Sequence, residues 1–262
     1  MTHNHIVFAE AATHEIKQLV EQISCNGIPE YAVKVYEARN RIFYITLKSG
    51  LKVNIKEYHT PTFPNNLIYG HLRKSKAQRA FEMALYLKKH GIDTPAPIAY
   101  SEQRAFGGRL QLSYFFSIHI DNVSEARQWG NPEEEIKFSQ SLSTIVSQLS
   151  SIGFLNMDFT PGNILWSYDA SSGRYHFHLI DINRAKIKAR PLTTTELARM
   201  LRATGNDIDQ TSHLAQFTAE QLRLPSEDFV SLIRKQYKRF ISHKTRHRKI
   251  KRILRRIFIN SQ

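Results

Sequence analysis

Residues 156–166 read Asn-Met-Asp-Phe-Thr-Pro-Gly-Asn-Ile-Leu-Trp. Asp158 and Asn163 stand five positions apart, with Pro161 and Gly162 between them. Pro presets one backbone angle and Gly adopts conformations closed to other residues, so the chain turns here. The apolar run 164–166 then reads as the start of a strand. Two readings compete. Asp, Asn, Pro and Gly are ordinary surface-turn residues. A carboxylate and an amide on one tight loop also suit phosphoryl transfer, in which an Asp accepts a hydroxyl proton and an Asn holds magnesium. The rest of the chain decides between them.

The chain has 262 residues, 41% hydrophobic and 11% aromatic, enough for two lobes with a real core. A single cysteine, Cys25, excludes an internal disulfide framework and points to a reducing compartment. It lacks CxxC spacing and reads as a small buried residue. The N-terminus has no basic start followed by an apolar stretch, so it does not read as a secretory signal. No apolar run approaches the length of a membrane span. The formal net charge is +14, and residues 234–258 alone carry twelve Lys and Arg with no Asp or Glu, leaving only +2 elsewhere. A nearly neutral body with a basic tail is the result.

Periodicity divides that body. Residues 9–25 read as a helix with Ile16, Leu19, Val20 and Ile23 on one face. Three strands follow, VKVYEA (33–38), RIFYITL (41–47) and LKVNIKEY (51–58), as an antiparallel meander. Residues 73–90 form a helix stopped by Gly91, with Ala77, Ala80, Phe81, Ala84, Leu85 and Leu87 on a broad apolar face. TPAPIAYSE and RLQLSYFFSIHI give two more strands. From about residue 132 the pattern turns helical: residues 133–150 carry Ile136, Phe138, Leu142, Ile145, Val146 and Leu149. Strands at 165–167 and YHFHLIDI come next, and the last 70 residues are helical. The predicted class is α+β. Residues 1–120 form a small antiparallel sheet lobe, 121–233 a helical lobe, and 234–262 a basic amphipathic tail. Nucleotides favour the cleft between such lobes.

Three further residues fall where phosphoryl transfer needs them. In the strand Val53-Asn54-Ile55-Lys56, alternation sends Val53 and Ile55 to one face and Asn54 and Lys56 to the other. Lys56 is then either a solvated strand lysine or the group that reaches nucleotide phosphates. Glu82 sits at the edge of the apolar face of its helix, where it pairs with Lys56 or with Arg79 three residues earlier. Asp181 interrupts the apolar run 179–183, and a buried unpaired carboxylate is costly. Magnesium would compensate it, as would an ion pair with Arg184 or Lys186. The order Lys56, Glu82, Asp158, Asn163, Asp181, each in a fitting strand, helix or loop, favours the catalytic reading of the 156–166 loop.

At these residues the chain resembles the protein-kinase-like superfamily and, within it, the bacterial lipopolysaccharide-core kinases that phosphorylate Kdo or heptose. VNIK resembles the strand bearing the phosphate-binding lysine. RKSKAQRAFEMALYLKKHGIDTPAPIAY resembles the helix with its partner glutamate and the following turn. MDFTPGNIL resembles the catalytic loop, and LIDINRAK the metal-binding segment. The resemblance covers roughly 33–205. It implies a two-lobed kinase-like fold using ATP and Mg2+, with Asp158 as base, Asn163 and Asp181 as metal ligands, and Lys56 held by Glu82. It places the adenine near residues 117–120, beside Ser117 and His119. Departures exist. No Gly-x-Gly-x-x-Gly precedes Lys56. The turn there reads Glu37-Ala38-Arg39-Asn40-Arg41, so Arg39 and Arg41 become candidates to hold phosphates by charge. Asn156 stands where the family has His, and Asn183 where eukaryotic-type kinases have Gly, a position that Asn suits by tolerating left-handed backbone. No Ala-Pro-Glu follows, which tilts the acceptor toward a glycolipid or other sugar.

In the tail, Ile250, Ile253, Leu254, Ile257 and Phe258 follow helical spacing among basic residues. Residues 234–258 therefore suit an anionic membrane surface. Docking on the helical lobe and nucleic-acid binding are the competing readings. The expected place of action is the cytoplasm, at the inner face of the inner membrane. A pseudokinase-type binding module, or a protein or small-molecule kinase of the same fold, is the alternative function.

Overall fold

A computed structural model describes residues 3–38, 40–59, 74–105, 108–130 and 134–259, with side chains through residue 246. The chain divides into two units, Met1–Val123 with Phe177–Arg184, and Ser124–His176 with Ala185–Gln262.

The described residues of the first unit form β1 (His3–Phe8), α1 (His14–Asn26), β2 (Val33–Glu37), β3 (Asn40–Thr46), β4 (Lys52–His59), α2 (Lys76–Lys89), β5 (Pro97–Arg104) and β6 (Leu110–Ile118). The strands make one antiparallel sheet in the order β1-β5-β6-β4-β3-β2. The expected meander is β2 to β4. Strand β1 was not anticipated, and it joins as an edge strand with a half-exposed side.

Thr13 caps α1 by accepting the Ile16 amide, and Gly27, at a φ of 82°, ends it. Ile16, Leu19, Val20 and Ile23 are buried against Ile45, Val53, Ile55 and Phe116 of the sheet. Cys25 is exposed rather than buried, because it lies off that face; its sulfur is 3.5 Å from the Asn4 amide. Ser75 caps α2 by accepting the Gln78 amide. Ala77, Ala80, Phe81, Ala84 and Leu87 are buried there, but Leu85 is 42% exposed. It sits beyond the edge of a face that small alanines allow to lie close to the sheet.

In the second unit the elements are β7 (Ser124–Glu125), α3 (Glu135–Ser151), β8 (Phe154–Leu155), β9 (Ile164–Asp169), β10 (Arg174–Leu179, whose last three residues belong to the first unit), β11 (Lys186–Ile187), α4 (Thr194–Leu201), α5 (Ile208–Leu222) and α6 (Ser226–Ile259). β10, β9 and β7 form a three-stranded sheet, and β8 pairs with β11. Trp129, Phe138, Trp166 and Tyr175 pack together, with Trp129 and Phe138 stacked at 4.2 Å between centroids. Trp166, the last residue of the decisive stretch, is thus an anchor for the loop before it. Ile136 is 60% exposed, outside the buried face of α3 that Phe138, Leu142, Val146 and Leu149 make. The basic segment is no separate element: it prolongs α6, whose first turns are buried at Phe229 and Ile233.

Candidate active site

In the first unit the central lysine is placed by β4. Val53 and Ile55 are fully buried, and the opposite face carries Lys56, whose side chain is 13% exposed. Its Nζ donates to Oδ1 of Asp181 at 2.9 Å. Burial pulls the ammonium toward neutrality, but Tyr58 and Asp181 outweigh it and the pKa is raised. The lysine is therefore held charged at neutral pH.

Asp181 does not interrupt a strand, as the sequence suggested. β10 stops at Leu179, and Asp181 takes a φ of 53°, left-handed and uncommon for a residue other than Gly. Its side chain is 36% exposed rather than fully buried, and its charge is compensated by Lys56. The buried Asn183 donates its amide to the same Oδ1. The left-handed residue is thus Asp181, not the Asn183 that the sequence reading considered. Among the described residues no hydrogen bond reaches Asp181 Oδ2. The segment is tied down just before this point: the Leu179 amide donates to the Asp93 carbonyl at 3.0 Å, and the Thr94 hydroxyl donates to the Leu179 carbonyl at 2.7 Å.

Glu82 does not pair with Lys56. Its carboxylate accepts from Lys74 Nζ at 2.7 Å and from the Gln78 amide at 3.1 Å. Gln78 lies one turn back on the same side of α2, and Lys74 reaches Glu82 from just before the Ser75 cap. Arg41 is also committed elsewhere. It faces Glu57 across β3 and β4 and makes contacts of 2.8 and 2.7 Å to Oε1 of that carboxylate, which is 1% exposed. A buried charge needs a partner, and Arg41 is that partner rather than a free phosphate ligand. Arg39 lies outside the described residues.

Ser117 is buried, and its hydroxyl lies 3.5 Å from the Asn54 amide. The amides of Ile118 and His119 donate to the carbonyls of Ala96 and Lys52, both at 2.9 Å. The His119 ring stacks on Tyr44 at 4.6 Å. The N–H groups of Ile118 and His119 are thus committed within the protein and not open to a ligand.

In the second unit β8 delivers the chain to the loop. Asn156 is buried, and its side-chain oxygen accepts the Asp158 amide at 3.0 Å. Asn163 lies in a 3-10 turn, Pro161–Asn163, and its amide nitrogen donates to the Asp158 carbonyl at 2.9 Å. That bond commits the nitrogen and leaves Oδ1 as the acceptor of this side chain. Both amides thus position Asp158 through its backbone. Sequence reading passed over Asn156 as a mere replacement, although an Asn two residues before an amide is an ordinary Asx-turn signal. A second support had no local signal: Thr204, far along the chain, donates its hydroxyl to the Phe159 carbonyl at 3.1 Å.

Among the described residues no group of three or more His, Cys, Asp and Glu could hold a metal. The hard oxygens at the candidate positions are the Asp181 carboxylate in the first unit and the Asn163 amide in the second. Magnesium accepts such ligands when phosphates and water complete its shell.

Solved structures share this fold. "WaaP in complex with acyl carrier protein" has 14% sequence identity, with 90% of this chain and 98% of that chain covered and a TM-score of 0.58. An aminoglycoside-3'-phosphotransferase of type VIII has 11% identity, covers 86% and 100%, and gives 0.52. The Rio2 kinase of Chaetomium thermophilum, as an ADP/Mg2+-phosphoaspartate complex, has 14% identity, covers 87% and 75%, and gives 0.50. All three are kinase-like, and the likeness confirms the α+β, protein-kinase-like class. No curated protein matches in sequence. The family model described as "Lipopolysaccharide kinase (Kdo/WaaP) family" matches residues 35–242, which is most of the chain and includes every candidate residue named above. The protein is therefore a phosphotransferase with a sugar hydroxyl as acceptor, and it belongs to the lipopolysaccharide kinase (Kdo/WaaP) family.

Proposed function

We propose that the chain transfers the γ-phosphoryl group of ATP to a hydroxyl of Kdo or heptose in a lipopolysaccharide core, with Mg2+. Asp158 accepts the hydroxyl proton as the acceptor oxygen bonds to the γ-phosphorus. The bond from that phosphorus to the β–γ bridging oxygen breaks, and ADP leaves with the electron pair. Lys56 offsets phosphate charge. Asp181 and Asn163 supply oxygen ligands to magnesium, which when bound neutralises charge on the phosphates. The protein contributes positioning and electrostatics more than covalent chemistry. The basic α6 is assigned to the anionic inner face of the membrane that carries the acceptor. No described helix is long and apolar enough to cross a membrane.

The observation that carries this reading is the Lys56–Asp181 pair at 2.9 Å. A strand lysine and a carboxylate 125 residues later meet, with Asp181 in a backbone conformation that few side chains tolerate. A structural ion pair needs no left-handed residue; a metal ligand aimed from a tight turn gains by it.

A thermal-shift titration with ATP and Mg2+ tests the reading. Ligand at about a hundredfold over Kd stabilises by about 2.7 kcal/mol, a rise of roughly 5–10 °C for a chain of this size. Wild type is expected to show a magnesium-dependent rise, and Asp181→Asn to lose it. No rise at millimolar ATP would move the chain to the pseudokinase-type alternative.

A further inference from the structure

One cation outside the residues assigned above lies against the candidate catalytic loop. Arg202 follows α4, and its Nη1 is 4.0 Å from the Met157 sulfur, directly before Asp158. Two residues on, the Thr204 hydroxyl holds the Phe159 carbonyl, directly after Asp158. The turn at 202–204 is thus fastened on both sides of the candidate base. The Arg202 guanidinium lies over the Phe240 ring of α6, 5.0 Å from its centroid, and donates to the Arg199 carbonyl. Lys244 Nζ lies 5.8 Å from the same centroid. Among the described residues Arg202 forms no ion pair with a carboxylate. Burial holds its guanidinium below the usual value, opposed by Asp158 and reinforced by Arg199.

This half-buried guanidinium is held by an aromatic face, a thioether and the Arg199 carbonyl, the last two through Nη1, leaving its other N–H groups for an oxyanion. Its position beside Asp158 places that oxyanion next to the reacting hydroxyl. Asp158 offsets one positive charge, but Arg199 and Lys244 add to that of Arg202, so a neutral heptose would leave cations in excess there. We propose that Arg202, with Arg199 and Lys244 adding positive charge, binds a carboxylate carried by the acceptor sugar, so that the preferred acceptor is a sugar acid of the Kdo type. This rests on the kinase reading above and narrows it.

The test is steady-state kinetics of the full chain at saturating ATP, with Kdo-terminated lipid A and with the same glycolipid after conversion of the Kdo carboxylate to its primary amide. The lipid A phosphates are unchanged between the two. Wild type is expected to show a KM for the amide about tenfold above that for the acid, with similar kcat. Arg202→Gln should raise the KM for the acid to that for the amide, so that the ratio of the two falls to about one. Arg202→Lys should recover part of the difference. Equal use of acid and amide by wild type overturns the proposal, and points to the phosphates or to no anion at all. Equal loss on both acceptors in Arg202→Gln also overturns it, since that is a structural effect. If Arg202→Gln does not fold, the wild-type comparison and Arg202→Lys decide. Turnover of neither acceptor by wild type defeats the kinase reading itself, a result distinct from the others.

Discussion

Asp158 is held through its backbone rather than through its carboxylate alone. Asn156 takes its amide and Asn163 its carbonyl. Replacing the side chain should therefore leave the loop in place. Asp158→Ala is expected to lower kcat by about 10²–10⁴-fold, the usual share of a positioned base, while keeping the magnesium-dependent ATP thermal shift. Turnover within a few-fold of wild type would remove Asp158 from the role of base. Arg41 has a different duty. Arg41→Ala would leave the buried Glu57 carboxylate with only Tyr114 and His59, so a loss of about 2–4 kcal/mol is expected, seen as a melting point lower by roughly 5–15 °C. Adding Glu57→Gln should restore much of it; if the double variant is no better than the single, charge burial is not the cause. Here the limits of reading a sequence are plain. The positions of Lys56 and Asp181 were legible, the first on the polar face of an alternating strand and the second as a break in an apolar run. The partners of Glu82 and Arg41 were not, since several opposite charges lie within reach in sequence and only geometry selects one.

At the scale of elements, β8 and the turn before it aim the loop. Gly153 has a φ of 70°, and a Cβ there would stand 2.5 Å from the carbonyl oxygens of Lys188 and Arg190. These are backbone atoms, so neither can swing aside. Gly153→Ala is expected to cost about 2 kcal/mol or more and to lower the melting point by at least about 4 °C. A melting point unchanged from wild type would contradict the close approach. The same contrast runs through the elements. Helices α1 and α2 were legible from apolar spacing, because burial on one face imposes a period, although the chain before Thr13 is not helical. Leu85 and Ile136 departed from it, since spacing does not tell how wide a face is covered. β1 escaped notice because only Ile6, Val7 and Phe8 of its residues are apolar, and an edge strand needs no alternation. The left-handed Asp181 gives no signal either, as Asp is common in all turn positions.

For the molecule as a whole, charge is the clearest variable. Six of the twelve cations between 234 and 258 lie at 248–256. Each Lys or Arg near an anionic bilayer contributes about 1 kcal/mol at low salt, and screening removes most of it. The full chain is expected to sediment with phosphatidylglycerol-containing vesicles at low salt and to be released by roughly 0.5 M NaCl. A chain ending at residue 246 keeps Phe240 and Lys244 and should bind vesicles at least about tenfold more weakly, with turnover of a soluble acceptor unchanged. Vesicle binding equal to that of the full chain would exclude the tail, and preference for nucleic acid over vesicles would reassign it.

The division of the chain into units has a consequence for dissection. The first unit is not a contiguous piece: Phe177–Arg184 belongs to it, although the intervening residues build the second. A fragment ending at Val123 would lack the carboxylate that sits on Lys56 and the carbonyl that the Thr94 hydroxyl meets. It would expose the buried surface those eight residues cover and strand an ammonium with no counter-ion. A single cut in the gene therefore cannot deliver the first unit whole, because part of it is encoded inside the second.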